Sequence, residues 1–142
     1  MSTTLQGLEQ FAAHAVGAEV VRAHATVLLA EDDRSLRRYL EVVLRRAGYE
    51  VLTAADGLEA MKALLSNAVD AVVTDAVMPH LSGHELCRFV RNHPKLKSLP
   101  VVLLSGVDAS TRPSDSEPGA DVYLSKPVPA QELAASLVRL LA

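Results

Sequence analysis

A chain of 142 residues has room for one ordinary domain of roughly 100–200 residues, so these residues leave no space for a separate output module. Apolar residues make up 49% and charged residues 22%, as in a chain that buries a real core, and a net charge of −3 argues against a nucleic-acid partner. No apolar run reaches the roughly 18–20 residues of a membrane span and the N-terminus lacks a secretory signal, so no membrane association is expected and a cytoplasmic location is. Cys87 is the one cysteine, which excludes an intrachain disulfide and a cysteine-rich zinc site.

Residues 1–25 precede the regular pattern. Thr3 and Gln6 have capping-box spacing, and Leu5, Leu8, Ala12, Ala15, Val20 and Val21 form a rough apolar stripe. This stretch reads as an N-terminal extension compatible with a helix, weakened by Gly7 and Gly17. From Thr26 onward, β-branched or Leu-rich runs alternate with amphipathic segments, the α/β signature, and residues 26–142 read as one domain. The first strand, residues 26–30, is almost wholly apolar and stops at Glu31-Asp32-Asp33. A helix over residues 35–47 sets Leu36, Leu40, Val43 and Leu44 on one face with arginines outside it, and Gly48 closes it.

A second strand over residues 50–53 and a second helix over 57–66 follow, then a third strand over 71–74 that ends at Asp75. Beyond the loop at 78–82, a third helix turns Leu86, Phe89 and Val90 inward. The fourth strand, 100–104, ends at Ser105-Gly106, and the fifth, 122–124, at Ser125-Lys126-Pro127. The last helix, 130–141, is expected to bury Leu133, Leu137, Val138 and one of Leu140 and Leu141. Between them, residues 107–118 carry two prolines, three serines and a single large aliphatic residue, so the helix due there is expected to be irregular or shortened.

Four strands end in residues with chemical potential: Glu31 and Asp32, Asp75, Ser105, and Lys126. In an open parallel sheet the carboxyl ends of the strands face one crevice, so these distant residues converge. Crowded carboxylates repel one another unless a cation sits among them, and hard oxygen donors without thiol or imidazole select Mg²⁺. By that reasoning, Asp75→Asn or Asp32→Asn should leave metal-free stability equal or higher. A lysine and a hydroxyl on the same rim suit a phosphoryl group, which an ionised aspartate can attack in line to give an aspartyl phosphate.

The segment from Val27 to Leu141 resembles the CheY-like receiver domain of two-component response regulators. The likeness lies in Val27-Leu28-Leu29-Ala30-Glu31-Asp32-Asp33, in Val73-Thr74-Asp75-Ala76-Val77-Met78-Pro79 with Ser82-Gly83 behind it, in Leu104-Ser105-Gly106, and in Gly119-Ala120-Asp121-Val122-Tyr123-Leu124-Ser125-Lys126-Pro127. The resemblance implies a doubly wound, five-stranded parallel sheet in the flavodoxin-like order 2-1-3-4-5. It implies Asp75 as phosphoacceptor and Mg²⁺ held by Asp32, Asp75 and the Val77 carbonyl, with Glu31 reaching the ion directly or through water. Ser105 and Lys126 would each meet a phosphoryl oxygen, Pro127 would follow a cis bond, and Ser105 and Tyr123 would form the conformational switch. The implied phosphodonor is a histidine kinase or histidine phosphotransfer protein, and the signal would pass to a downstream protein or a second copy of the chain. The only chemistry implied is the domain's own phosphorylation and dephosphorylation, so it is no enzyme towards other substrates. Val77 and Val107, flanking the phosphoryl group in the family, cannot orient a hydrolytic water, which implies slow self-hydrolysis.

Blander readings exist for single residues: a turn or cap for Asp75, a solvated surface lysine for Lys126, a common strand-end serine for Ser105, a fixed strand aromatic for Tyr123. His80 and His84 straddle a loop and a helix start, which speaks against a metal pair. Two other functions compete: an aspartate-nucleophile phosphohydrolase and a receiver-like binding module independent of phosphorylation. Dinucleotide and P-loop readings fail, because the first strand-to-helix turn has no glycine-rich loop.

Overall fold

The computed structural model describes residues 25–106 and 119–142, so the expectations for the N-terminal extension and for the helix over residues 107–118 lie outside the described residues. The elements run β1 (Thr26–Ala30), α1 (Arg34–Arg46), β2 (Glu50–Ala54), α2 (Gly57–Ser66), β3 (Ala71–Asp75), α3 (Gly83–Asn92), β4 (Val101–Ser105), β5 (Val122–Ser125) and α4 (Ala130–Leu141). All four pairings are parallel and the strand order is β2-β1-β3-β4-β5, as expected. β1 therefore has β2 on one side and β3 on the other, and the chain reverses its direction across the sheet there. That reversal opens a crevice at the strands' carboxyl ends.

Helices cover both faces, which is why the central strands are predominantly apolar up to their carboxyl ends. Side chains alternate along each strand. Val27, Leu29, Val73, Val102 and Leu104 pack with Leu40 and Leu44 of α1 and with Leu133, Leu137 and Leu141 of α4. Leu28, Ala30, Val72 and Val101 pack on the other face with Ala60 and Leu64 of α2 and with Leu86, Cys87 and Val90 of α3. One expectation fails: Val138 is 58% exposed. It lies one position past Leu137, about 100° around the helix, which turns it off the face that Leu133, Leu137 and Leu141 present.

Local chemistry sets the helix boundaries. Asp33 caps α1 by accepting from the Leu36 N–H at 3.0 Å, and Gly48, at φ 101°, supplies the left-handed residue that ends it. Asp56 caps α2, and Ser82 with Glu85 forms a reciprocal capping box on α3. Gly57 and Gly83 permit close backbone approaches. A Cβ on Gly57 would overlap the Leu81 carbonyl, and one on Gly83 would overlap the Asp75 carbonyl.

Gly83→Ala should therefore cost about 1–3 kcal/mol in urea unfolding, since the atom it strikes is backbone of a buried strand. Gly106→Ala, whose Cβ meets among the described residues only Lys126 Cδ at 4.0 Å, should change stability by about 0.5 kcal/mol or less.

Candidate functional site

The register fixes the site. Ala30 pairs with Thr74, so Glu31 and Asp75 leave the sheet side by side at its carboxyl edge. Leu104 pairs with Asp75, which sets Ser105 one position further along on β4, and Ser105 pairs with Ser125 on β5. The Lys126 N–H then donates to the Ser105 carbonyl at 2.8 Å, and the Lys126–Pro127 bond is cis. The ammonium ends 2.9 Å from Asp75 Oδ1 and 3.2 Å from Glu31 Oε1.

Glu31 is completely buried and Asp75 almost so, whereas Asp32 is exposed. Carboxylate oxygens of the three lie within 4.8 Å of one another, the one cluster of three metal-type ligands among the described residues. Glu31 is fastened at three points: its N–H donates to Ala54 O at 3.0 Å, its Oε2 accepts from the Asp33 N–H at 3.0 Å, and its carbonyl accepts from Arg37 Nη1 at 2.8 Å. Its Oε1 has an ionic contact to Lys126 but no aligned hydrogen-bond partner. Burial pushes the Glu31 carboxyl above its ordinary range and the Asp75 charge adds to this, against the Asp33 N–H and the Lys126 ammonium, which pull it down. Burial opposes the charge on Lys126, but Asp75 and Glu31 together outweigh it and hold that ammonium above its ordinary value.

Acids, lysine and hydroxyl on one rim of a 2-1-3-4-5 parallel sheet are the arrangement of a phosphoacceptor, and the profile of the response regulator receiver domain matches residues 27–138. The chain belongs to the response regulator receiver domain family. It is 40% identical over 116 residues to the response regulator MprA of a Mycobacterium species, covering 81% of this chain and 50% of that protein. It thus spans about half the length of that relative. Among solved structures, the response regulator TrrA of Thermotoga maritima, in complex with Mg²⁺-BeF, superposes with a TM-score of 0.74 at 32% identity over 82% of this chain and 99% of that one. The receiver domain of a Pseudomonas aeruginosa sensor histidine kinase, with magnesium in its active-site cleft, gives a TM-score of 0.74 at 27% identity over 83% and 98%.

The receiver's acidic triad is chemically suited to a hard cation, because every donor is an oxygen and the buried Glu31 Oε1, in ionic contact with Lys126, has no aligned hydrogen-bond partner among the described residues. The structure brings together Glu31, Asp32, Asp75 and Lys126, with Ser105 next on the rim. Val77 stands exposed in the following loop, at 73%, and Tyr123 is half-buried one strand further out, its hydroxyl accepting from the Ala120 N–H at 3.1 Å. Val107 lies outside the described residues. Among the described residues His80 pairs with Asp56, at 3.9 Å, and takes no part in a three-ligand cluster. No helix among the described residues is long and apolar enough to cross a membrane. By pattern alone Arg37 is one of several arginines outside the apolar face of its helix. Nothing local sets it apart from Arg34 and Arg38, because its contact with the Glu31 carbonyl depends on how the chain turns from β1 into α1.

Crowding alone suggested that losing either aspartate is harmless without metal; the geometry separates the two. Asp75→Asn removes a partner of Lys126, so it should bring no gain in melting temperature in EDTA, whereas Asp32→Asn, at the exposed corner, should raise it. A pH effect follows as well. Because Glu31 titrates above its ordinary 4.5 in the folded state, it binds a proton on folding; stability is greatest below that value and falls as pH rises through the folded one. Lys126, raised above 10.5, adds stability at all lower pH and loses it only beyond that. In EDTA, thermal melts should therefore shift upward as pH falls towards the ordinary glutamate value of 4.5, and Glu31→Gln should reduce the shift.

Proposed function

We propose that the receiver takes a phosphoryl group from phosphohistidine onto Asp75. The observation that carries this is the contact of Asp75 with Lys126 at 2.9 Å, beside the Glu31 and Asp32 carboxylates and at the sheet's reversal point. Glu31, Asp32, Asp75 and the Val77 carbonyl would hold Mg²⁺, which when bound neutralises charge on the acceptor and on a phosphoryl oxygen. An Asp75 oxygen forms the bond to phosphorus as the bond to the donor's imidazole breaks, and the imidazole leaves. Lys126 moves from the acceptor carboxylate to a phosphoryl oxygen, and the Ser105 hydroxyl takes another.

Ser105 and Tyr123 are the proposed switch. Tyr123 pairs with Leu103, two positions before Ser105, so both side chains leave the same side of the sheet. Drawing Ser105 to the phosphoryl group opens space next to the ring. Receiver domains partner histidine kinases; for this chain a kinase or a histidine phosphotransfer protein as donor, and a downstream protein as reader, belong to the proposal. So does the division into an extension at 1–25 and a receiver at 26–142.

Acetyl phosphate with Mg²⁺ should add one phosphoryl group to the intact mass, and Asp75→Asn should abolish the addition. Many turnovers on a generic phosphate ester would instead favour a phosphohydrolase, and an unmodified wild type a binding module. The exposed, apolar Val77 offers no group to orient a water, so the phosphorylated form should persist. Val77→Asn should shorten its half-life; an unchanged or longer half-life would count against that role.

A further inference from the structure

α1 breaks a local rule. Its first turn carries Arg34 and no acid, although the backbone dipole favours anions there, and Arg37 and Arg38 follow in the second turn. Arg34 and Arg38 are exposed, while Arg37 is half-buried and donates from Nη1 to the Glu31 carbonyl at 2.8 Å. That carbonyl lies one residue past the end of β1, and its side-chain donor is Arg37. A broken local rule beside a functional cluster points to a role in that cluster.

We propose that Arg37 is a positioning residue of the acidic pocket, holding the peptide plane from which Glu31 and Asp32 project and so setting the pocket's affinity for a divalent cation. The proposal rests on the Mg²⁺ reading above. The Glu31 carbonyl and the Asp32 N–H share one rigid peptide plane, so its tilt sets the direction in which the Asp32 side chain leaves the backbone. Glu31 has two other anchors, Ala54 O on its N–H and the Asp33 N–H on its Oε2. Neither holds the carbonyl. Arg37 closes that gap by linking it to the second turn of α1, whose first turn starts at the Asp33 cap.

Charge and position predict opposite signs. A guanidinium beside the pocket repels a divalent cation, so removing a mere charge tightens binding. Removing an anchor loosens it.

The test is calorimetric titration of the full chain with Mg²⁺, using wild type, Arg37→Met, Arg37→Lys and Arg38→Met, with thermal melts in EDTA alongside. Arg37→Met should bind about 10-fold more weakly, the lower end of what loss of a ligand-orienting contact costs. Arg37→Lys, which keeps a donor, should recover part of the affinity, and Arg38→Met should bind as wild type or more tightly. Phosphorylation by acetyl phosphate in Arg37→Met should need more Mg²⁺ yet reach the wild-type rate at saturation. Equal or tighter binding by Arg37→Met overturns the proposal, as does a lower melting temperature with unchanged affinity. Should Arg37→Met fail to fold, Arg37→Lys decides: binding weaker than that of Arg38→Met supports the proposal and equal binding overturns it. A wild type that takes no Mg²⁺ overturns the metal reading and this inference with it, whereas the outcomes above bear on Arg37 alone.

Discussion

The ammonium of Lys126, set between the buried carboxylates of Glu31 and Asp75, is the interaction on which the architecture turns. An isolated carboxylate with no access to water carries a desolvation cost of several kcal/mol, so Glu31 is tenable in its position only with compensation. The Asp33 N–H and Lys126 provide part of it, and the remainder shows as a raised affinity for protons. The same imbalance that makes the unliganded pocket electrostatically costly makes it receptive to a cation. Stability has been given up at the one edge where chemistry is needed.

Lys126 sits at the far end of the chain from Glu31, and its placement depends on β5, the edge strand. β5 is the least buried strand of the sheet, with only Leu124 fully inside. Its approach is fastened by one guanidinium. Arg91 of α3 donates to the carbonyls of Gly119, Lys97 and Leu99 and to Asp121 Oδ2, which also accepts from the Val101 N–H. This ties the entry to β5 to the start of β4 and to α3, and so helps deliver the lysine to the right level. On the other side of the crevice, the tight seating of Gly83 on the Asp75 carbonyl and of Gly57 on the Leu81 carbonyl holds the acceptor strand and its loop against their neighbours. His80 turns that loop with a φ of 71°.

The arrangement suits a switch better than a turnover enzyme. A phosphohydrolase needs a group that activates water at the phosphorylated carboxylate, and the loop following Asp75 presents the aliphatic Val77. A lysine already resting on the acceptor needs only a short shift to follow the phosphoryl group, and its backbone is bonded to Ser105. Chemistry at Asp75 is thereby linked to the β4–β5 edge.

Much of this was legible from the residues alone. Strands that must be buried on both faces are written as continuous apolar runs, so β1, β3 and β4 stood out, and the polar residues at their ends named Glu31, Asp32, Asp75 and Ser105. Gly48 and the four-residue spacing of Leu36, Leu40 and Leu44 in α1 were equally plain, because helix period and left-handed closure are local properties. Sequence periodicity could not settle the fate of Val138, since whether an apolar residue at the rim of a stripe is covered depends on the neighbouring element. Nor could it show that Lys126 neutralises two acids before any phosphoryl group arrives, that Glu31 is the most deeply buried of the three, or that Arg37 grips its carbonyl. Those are distances between groups brought together by strand register and helix packing. Sequence determined which chemical groups reach the crevice; tertiary structure decided which of them touch, because contact depends on the relative placement of elements far apart in the chain.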